Sequence, residues 1–158
     1  MQHRMKTHQL TEKQIEELLL RTPTGSLATV NPDGTPYVTP VHFVLMNKLV
    51  YFHGLPKGQK IENIKANPNV SMMIYEAESS LLLDPDGKPC DTNTKYQSVV
   101  FSGTAAILDD RQQKREILSA IVKKYTPGLE GTELPDNMVK GTAVVQIMIR
   151  GLSGKYYE

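Results

Sequence analysis

A period of two in the apolar residues dominates the chain between residues 25 and 53. The runs SLATV, YVTPVHFVLM and LVYFH follow this pattern, and they are separated by NPDGTP and by NK, which are turn sequences. Alternation at this period places one face of an extended strand against a core, and connections this short join only antiparallel neighbours. The sequence therefore predicts three consecutive antiparallel strands.

Three further strands are predicted in the remainder of the chain. They are NVSMMIYEA, residues 96–108 (YQSVVFSGTAAIL) and TAVVQIMIRGLSGKYY, and Gly103 stands where a β-bulge would bend the second of them. A polar loop over residues 79–95, with the turn sequence DPDG, is predicted between the first two. A loop rich in glycine and proline is predicted to run to about residue 140, before the last strand.

Three helices accompany these strands. Thr11 and Gln14 form a capping box before an amphipathic helix that ends near Pro23, KGQKIENIKANP predicts a short helix that stops at Pro68, and a third helix begins near Asp110. The order αβββαββαβ in 158 residues predicts one domain over residues 1–158. Strands joined by such short connections favour a mainly β fold, a closed antiparallel β-barrel with flanking helices, because parallel pairs need long crossovers.

Composition excludes several classes of partner. Lys and Arg number 18 against 17 Asp and Glu, so the chain lacks the basic field of a dedicated nucleic-acid binder. With only three Phe and no Trp, it has few aromatic side chains on which unpaired bases could stack. No apolar run approaches the roughly 18 residues of a membrane span. With the single cysteine Cys90 and no apolar signal-peptide core in MQHRMKTHQ, a reducing, cytoplasmic location is predicted. A small molecule or another protein remains as the expected partner.

Sequence motifs place one candidate site directly after the third strand. The chain has no HExxH, CxxC, GxSxG, Walker A or GxGxxG motif, so no metal site is predicted. Residues 53–60, HGLPKGQK, instead combine two glycines with Lys57 and Lys60 at the start of a helix. Free amide donors and the helix dipole favour a phosphate there, and the alternative is a pair of solvated surface lysines.

Two histidines are candidates for proton transfer or for contact with a bound ring. His42 lies in the second strand between Val41 and Phe43, and His53 ends the third. A packed, hydrogen-bonded imidazole is the alternative for each. Cys90 stands in a loop with no base near it in sequence, so an ordinary loop cysteine is favoured over a nucleophile.

The order of these segments resembles a known family. Residues 25–76, GSLATVNPDGTPYVTPVHFVLMNKLVYFHGLPKGQKIENIKANPNVSMMIYE, resemble the first half of the pyridoxamine 5'-phosphate oxidase-like FMN-binding split barrels. The segments CD with KYQSVVFSGTAAILDD and KYTP, and VVQIMIRGLSGK, are similar to the nitroimidazole-resistance branch. The resemblance covers nearly the whole chain and implies a six-stranded antiparallel split barrel of the FMN-binding type. It also implies a homodimer with two FMN sites at the subunit interface.

The resemblance further implies which residues contact the cofactor. The phosphate-binding pair is Lys57 and Lys60. The strand that passes the isoalloxazine ring contributes Pro40, Val41 and His42, and the strand end beside that ring contributes Phe52, His53 and Gly54. The residues that reach the flavin of the other subunit are Gln97 and Ser98, and a weaker match near the ligand is Lys155. His53 matches the histidine that the nitroimidazole-resistance branch places by the flavin. It is the predicted catalytic residue, as a proton donor.

Departures from the family pattern restrict which reactions the resemblance implies. Pyridoxamine phosphate oxidases carry Arg and Lys on the second strand and a C-terminal arginine region for the substrate phosphate, whereas this chain has YVTPVHFV and ends in KYYE. These departures argue against oxidation of pyridoxamine phosphate. The resemblance implies instead an FMN-dependent oxidoreductase that reduces a small planar acceptor, as a nitroreductase does. A haem-binding split barrel with an axial histidine and a flavin-binding module without catalysis are the two alternatives.

Overall fold

The structure, a computed structural model, describes residues 6–82, 88 and 93–157. It contains six strands, four α-helices from residue 12 onward and one short 3₁₀ helix in that part of the chain. In chain order the elements are α1 (Glu12–Arg21), β1 (Thr24–Val30), β2 (Pro36–Met46), β3 (Leu49–Gly54), α2 (Gln59–Ala66), β4 (Asn69–Leu82), β5 (Asn93–Ile107), α3 (Arg111–Tyr125), the 3₁₀ turn (Pro127–Leu129), α4 (Asp136–Gly141) and β6 (Ala143–Tyr157).

The six strands form a closed antiparallel barrel, as predicted. Their order around the barrel is β1-β2-β3-β6-β5-β4, and every neighbouring pair is antiparallel. Phe43, Phe52 and Phe101 point into the barrel and are at most 1% exposed, among aliphatic side chains from all six strands. The interior is therefore a packed hydrophobic core, and any ligand site must lie on the outer wall.

Gly103 lies at a β-bulge, in agreement with the sequence prediction. The pairing of β5 with β6 shifts between Ser102 and Gly103, and a Cβ on Gly103 would lie 2.7 Å from the Met148 carbonyl oxygen and 2.7 Å from an Ile147 methyl group. Only a residue without a side chain fits between these two atoms. The bulge lets the long β5 and β6 bend around the closed barrel.

The helices begin where the capping signals predicted. The Thr11 hydroxyl accepts from the Gln14 backbone N–H, and the Gln14 side-chain oxygen accepts from the Thr11 backbone N–H, which completes the capping box of α1. Asp110 caps α3 by accepting from the Gln113 backbone N–H. The apolar stripe of α3 packs on the outer wall of β2, β3 and β6 through Ile117 and Ile121.

Two expectations about loops are wrong. β4 continues to Leu82 and β5 begins at Asn93, so both ends of the predicted 79–95 loop are strand, while Cys90 and DPDG lie outside the described residues. The predicted loop before β6 contains the 3₁₀ turn and α4. Lys114 of α3 is only 8% exposed and donates to the Lys140 carbonyl oxygen at 3.4 Å. None of the helices in the described ranges has the length and apolar content that a membrane crossing needs.

Candidate functional site

The ends of β2 and β3 bring the two candidate histidines together. Phe43 pairs with Phe52 inside the barrel, so the adjacent positions, His42 and His53, follow opposite each other on the outer wall. His42 is exposed and His53 is half-buried. The Nδ1 atom of His53 is buried and has no hydrogen-bond partner in the described part of the chain.

The environment of His53 favours its neutral form. Burial lowers the pKa of the imidazole below its ordinary value of 6.5, and the positive charges of His42 and Lys60 lower it further. His53 is therefore uncharged at pH 7. In that state its Nδ1 can accept or donate one hydrogen bond, depending on the tautomer.

The candidate phosphate cradle lies next to this pair. Gly54 ends β3, and a Cβ there would be 3.6 Å from the Lys60 Nζ atom, which also lies 6.0 Å from the centre of the Phe52 ring. Gly58 precedes α2 with a φ of 140°, a conformation that favours glycine, and it provides no side-chain cap for the helix amides. Lys57 is exposed in the loop before it. The first turn of α2 thus offers uncapped N–H donors beside an ammonium group, which suits a phosphate.

A buried amide network holds α2 in place. Asn63 is fully buried, and its Nδ2 donates to Thr29 Oγ1 at 3.0 Å and to Asn31 Oδ1 at 2.8 Å, while its Oδ1 accepts from Gln59 Nε2 at 2.9 Å. These bonds fix the start of α2 to the end of β1. The sequence analysis missed this network, although an asparagine on the apolar face of a predicted helix, between Ile61 and Ile64, is a usable signal.

The two remaining residues predicted on β2 face in different directions. Val41 is 5% exposed and packs in the core, opposite Gly25. Pro40 is exposed on the outer wall, opposite Ser26. Only Pro40 and His42 of the predicted β2 residues are thus available to a ligand through their side chains.

Gln97, Ser98 and Lys155 form a second group on β5 and β6. Ser98 pairs with Lys155, is 5% exposed, and has a buried Oγ with no partner among the described residues. Gln97 accepts a 2.8 Å bond from Arg21, which also pairs with Glu76. The sequence analysis missed this link between α1 and β4, because nothing in the local sequence relates residue 21 to residue 76.

Two open grooves of about 390 Å³ each lie beside this second group. One is lined by Tyr96, Tyr156 and Tyr157 next to Gln97, and the other contains Ser98, Gly154 and Lys155. Both are on the β5 and β6 side of the barrel. The second groove is the one into which the unpartnered Ser98 hydroxyl can reach.

The two groups of predicted residues do not meet in one chain. Gly54 pairs with Ala143 at one end of β6 and Ser98 pairs with Lys155 near the other, which is about 40 Å of strand at roughly 3.3 Å per residue. In the other direction around the barrel, β2, β1 and β4 lie between β3 and β5. His53 and Ser98 therefore point outward from different sides of the barrel.

Fold and site together define the class of protein. The fold is a closed six-stranded antiparallel split barrel with flanking helices. The family model described as pyridoxamine 5'-phosphate oxidase matches residues 11–156. The chain belongs to that family.

Solved structures agree with this assignment. A candidate 5-nitroimidazole antibiotic resistance protein of Bacteroides thetaiotaomicron is 24% identical with a TM-score of 0.80, over 92% of this chain and 84% of that one. A flavocytochrome of Azotobacter vinelandii is 21% identical with a TM-score of 0.86, over 100% and 72%. A structure described as an F420 reductase is 29% identical with a TM-score of 0.58, over 87% and 94%. No curated protein is a significant match.

Proposed function

We propose that the chain is an FMN-binding flavoprotein that acts as an oxidoreductase on a small planar acceptor, with each flavin held between two copies of the chain. The observation that carries this proposal concerns buried side-chain polar atoms that have no hydrogen-bond partner in the described part of the chain, of which there are three: His53 Nδ1, Ser98 Oγ and Thr22 Oγ1. The first two are the ones in predicted contact residues. Each belongs to one of the two groups of predicted contact residues. Because buried polar atoms normally have hydrogen-bond partners, these two fit a ligand that bonds to both groups.

An uncharged outer face lies between the two groups and supports pairing of two chains. The register aligns Pro40, Ser26, Met73, Val100 and Ser153 in one row across five strands. Met73 is 44% exposed and Val100 is 42% exposed, and Val38 lies exposed beside the row. A two-fold axis through this row would bring the β5 group of one chain towards the β3 group of its partner, since such an interface uses the same patch twice.

The residues present suit FMN. The first turn of α2 and Lys60 would bind the phosphate, Pro40 and His42 would lie along the ring, and Ser98 of the second chain would supply a hydroxyl. The flavin supplies the redox chemistry when it is bound. His53 would supply the proton to the acceptor. Because its pKa is lowered, the acid form that this step needs is the minor form at pH 7, and it increases as the pH falls.

An absorption spectrum of the purified full-length protein, with light scattering and a nicotinamide oxidation assay, tests the proposal. We expect flavin bands, a mass of about twice 17.7 kDa, and oxidation of NADH or NADPH that depends on a nitroaromatic or quinone acceptor. A Soret band would replace the proposal by the haem alternative. Flavin bands without turnover for any donor would leave a binding module.

Loss of the Lys60 ammonium is expected to weaken FMN binding about tenfold or more. Removal of a charge-assisted hydrogen bond costs about 1.5 to 3 kcal/mol, and 1.4 kcal/mol corresponds to tenfold in affinity. Lys65→Ala is the matched control, because Lys65 lies in the last turn of α2 and pairs with Glu62. Lys114 would be a poor control, since it is buried. Equal dissociation constants for Lys60→Ala and Lys65→Ala in a flavin fluorescence titration would show that Lys60 does not bind the FMN phosphate.

A further inference from the structure

A tyrosine hydroxyl completes the ladder between β1 and β2 where a proline interrupts it. Thr24 pairs with His42, so the next opposed positions are Pro23 and Phe43. Pro23 has no N–H to offer. The Phe43 carbonyl oxygen therefore has no donor across the ladder, and the Tyr125 hydroxyl lies there. This hydroxyl accepts from the Phe43 N–H at 2.7 Å and lies 2.7 Å from the carbonyl oxygens of both Phe43 and Pro23, one of which accepts its proton.

The neighbouring lysine fastens the same end of α3. Lys124 Nζ donates to the carbonyl oxygens of Leu19, Thr22 and Phe43 at 3.2, 2.9 and 3.0 Å, and it lies 4.1 Å from the centre of the Phe43 ring. Burial lowers the pKa of this ammonium to about 8. Hydrogen bonds to main-chain carbonyl oxygens thus attach the last turn of α3 to α1, to the α1–β1 connection and to β2. These bonds hold the Tyr125 ring in one position.

That ring lies against His42. The two ring centres are 4.7 Å apart and the planes differ by 28°, which is a stacked arrangement. His42 is otherwise exposed and carries no hydrogen bond that would select its rotamer in the described structure. The stack with Tyr125 is therefore the contact that determines where the imidazole of His42 stands relative to His53.

We propose that Tyr125 is a positioning residue, which fixes the imidazole of His42 beside His53. The inference rests on the proposed function for its role in turnover, because His53 is the predicted proton donor there. The part of the proposal that concerns the position of the His42 ring does not depend on flavin. Nothing in the sequence near residue 125 suggests this role, since Tyr125 reads as the last member of an apolar stripe.

The charges that act on His53 come from two elements, because β2 contributes His42 and α2 contributes Lys60. Val144, which pairs with His53 from β6, carries no charge. At the end of α3, Tyr125 contacts His42 and is uncharged, and the Lys124 ammonium lies on the carbonyl oxygens of Leu19, Thr22 and Phe43. Lys60 is unaffected by changes in α3. A shift in the titration of His53 after a change at residue 125 therefore reports the position of His42.

Histidine titration by NMR on the full-length protein tests the proposal. Tyr125→Phe keeps the ring and loses the hydroxyl, whereas Tyr125→Leu loses both. We expect the midpoint of His53 to rise in Tyr125→Leu, because the released His42 ring turns into solvent where its charge is screened. It should stay near the wild-type midpoint in Tyr125→Phe, even though both variants melt at lower temperature.

A second background separates positioning from general loosening. In the His42→Gln background, the change Tyr125→Leu should no longer move the His53 midpoint, because residue 42 then carries no charge whose position could change. Equal midpoints in all variants, or equal shifts in Tyr125→Phe and Tyr125→Leu, would overturn the proposal. If Tyr125→Leu fails to fold, the wild-type protein still decides: absence of a nuclear Overhauser contact between the His42 and Tyr125 rings would also overturn it. None of these measurements uses turnover, so their failure is distinct from failure of the proposed function.

Discussion

Replacement of His53 by alanine is expected to lower turnover by about 10²-fold or more while FMN stays bound. General acid catalysis contributes on this scale, and the phosphate contacts at α2 do not involve the imidazole. Flavin occupancy is measured from the visible spectrum and turnover from nicotinamide oxidation on the same sample. The wild-type rate should also rise as the pH falls towards the lowered pKa of His53, because the protonated fraction increases.

His53→Gln is the companion variant. Glutamine retains a polar side chain of similar size but does not titrate in this range. We therefore expect turnover to fall as in His53→Ala, and the remaining rate should no longer rise as the pH falls. A variant with full flavin and an unchanged rate across several acceptors would remove His53 from the mechanism. Loss of flavin without a selective loss of rate would make His53 a residue that holds the flavin by packing or hydrogen bonding, and not the proton donor.

A charge in the uncharged outer face is expected to separate the chains and release the flavin. Met73→Glu puts a carboxylate in the middle of the row that includes Val100, where a partner chain would have to bury it unpaired. An uncompensated charge in an interface costs several kcal/mol, which corresponds to at least about 10²-fold in association. Light scattering should give a mass near 17.7 kDa, and flavin should be lost on gel filtration.

Met148→Glu is the matched control for this change. Met148 is 52% exposed on β6, opposite Leu49 and Thr104, and so lies outside the row. It should remain dimeric and retain flavin. A Met73→Glu protein that is still dimeric with full flavin would place the interface elsewhere on the barrel.

Much of the barrel could be predicted because local signals agree with the final contacts. The period of two and the turn at Asn47 and Lys48, both of which have positive φ, determine the β2–β3 hairpin with no help from distant residues. The ends of β4 and β5 could not be predicted in this way. The sequence assigns residues 79–82, SSLL, to a loop because the centre of the 79–95 segment is polar, and they are strand because β5 pairs with them at Leu81 and Leu82.

The candidate site shows the same division. His53, Gly54 and Lys60 lie within eight residues of each other, so a single motif predicts that they come together. Tyr125 reaches the site from 82 residues beyond Phe43, and its hydroxyl fits there only because Pro23 leaves a gap in the ladder. The burial of Lys114 has a similar cause, since α4, which the sequence did not predict, supplies the carbonyl oxygen that it contacts.

The three phenylalanine rings that fill the barrel have a consequence for how the protein holds a cofactor. Because these rings pack in the core of the described barrel, a flavin bound as proposed would lie on an outer wall and would owe part of its affinity to a surface that a second molecule provides. Occupancy then follows mass action in protein as well as in flavin, so dilution of the protein at constant free flavin would release the cofactor. A split barrel of this kind would carry a full complement of flavin only at protein concentrations that keep its chains associated.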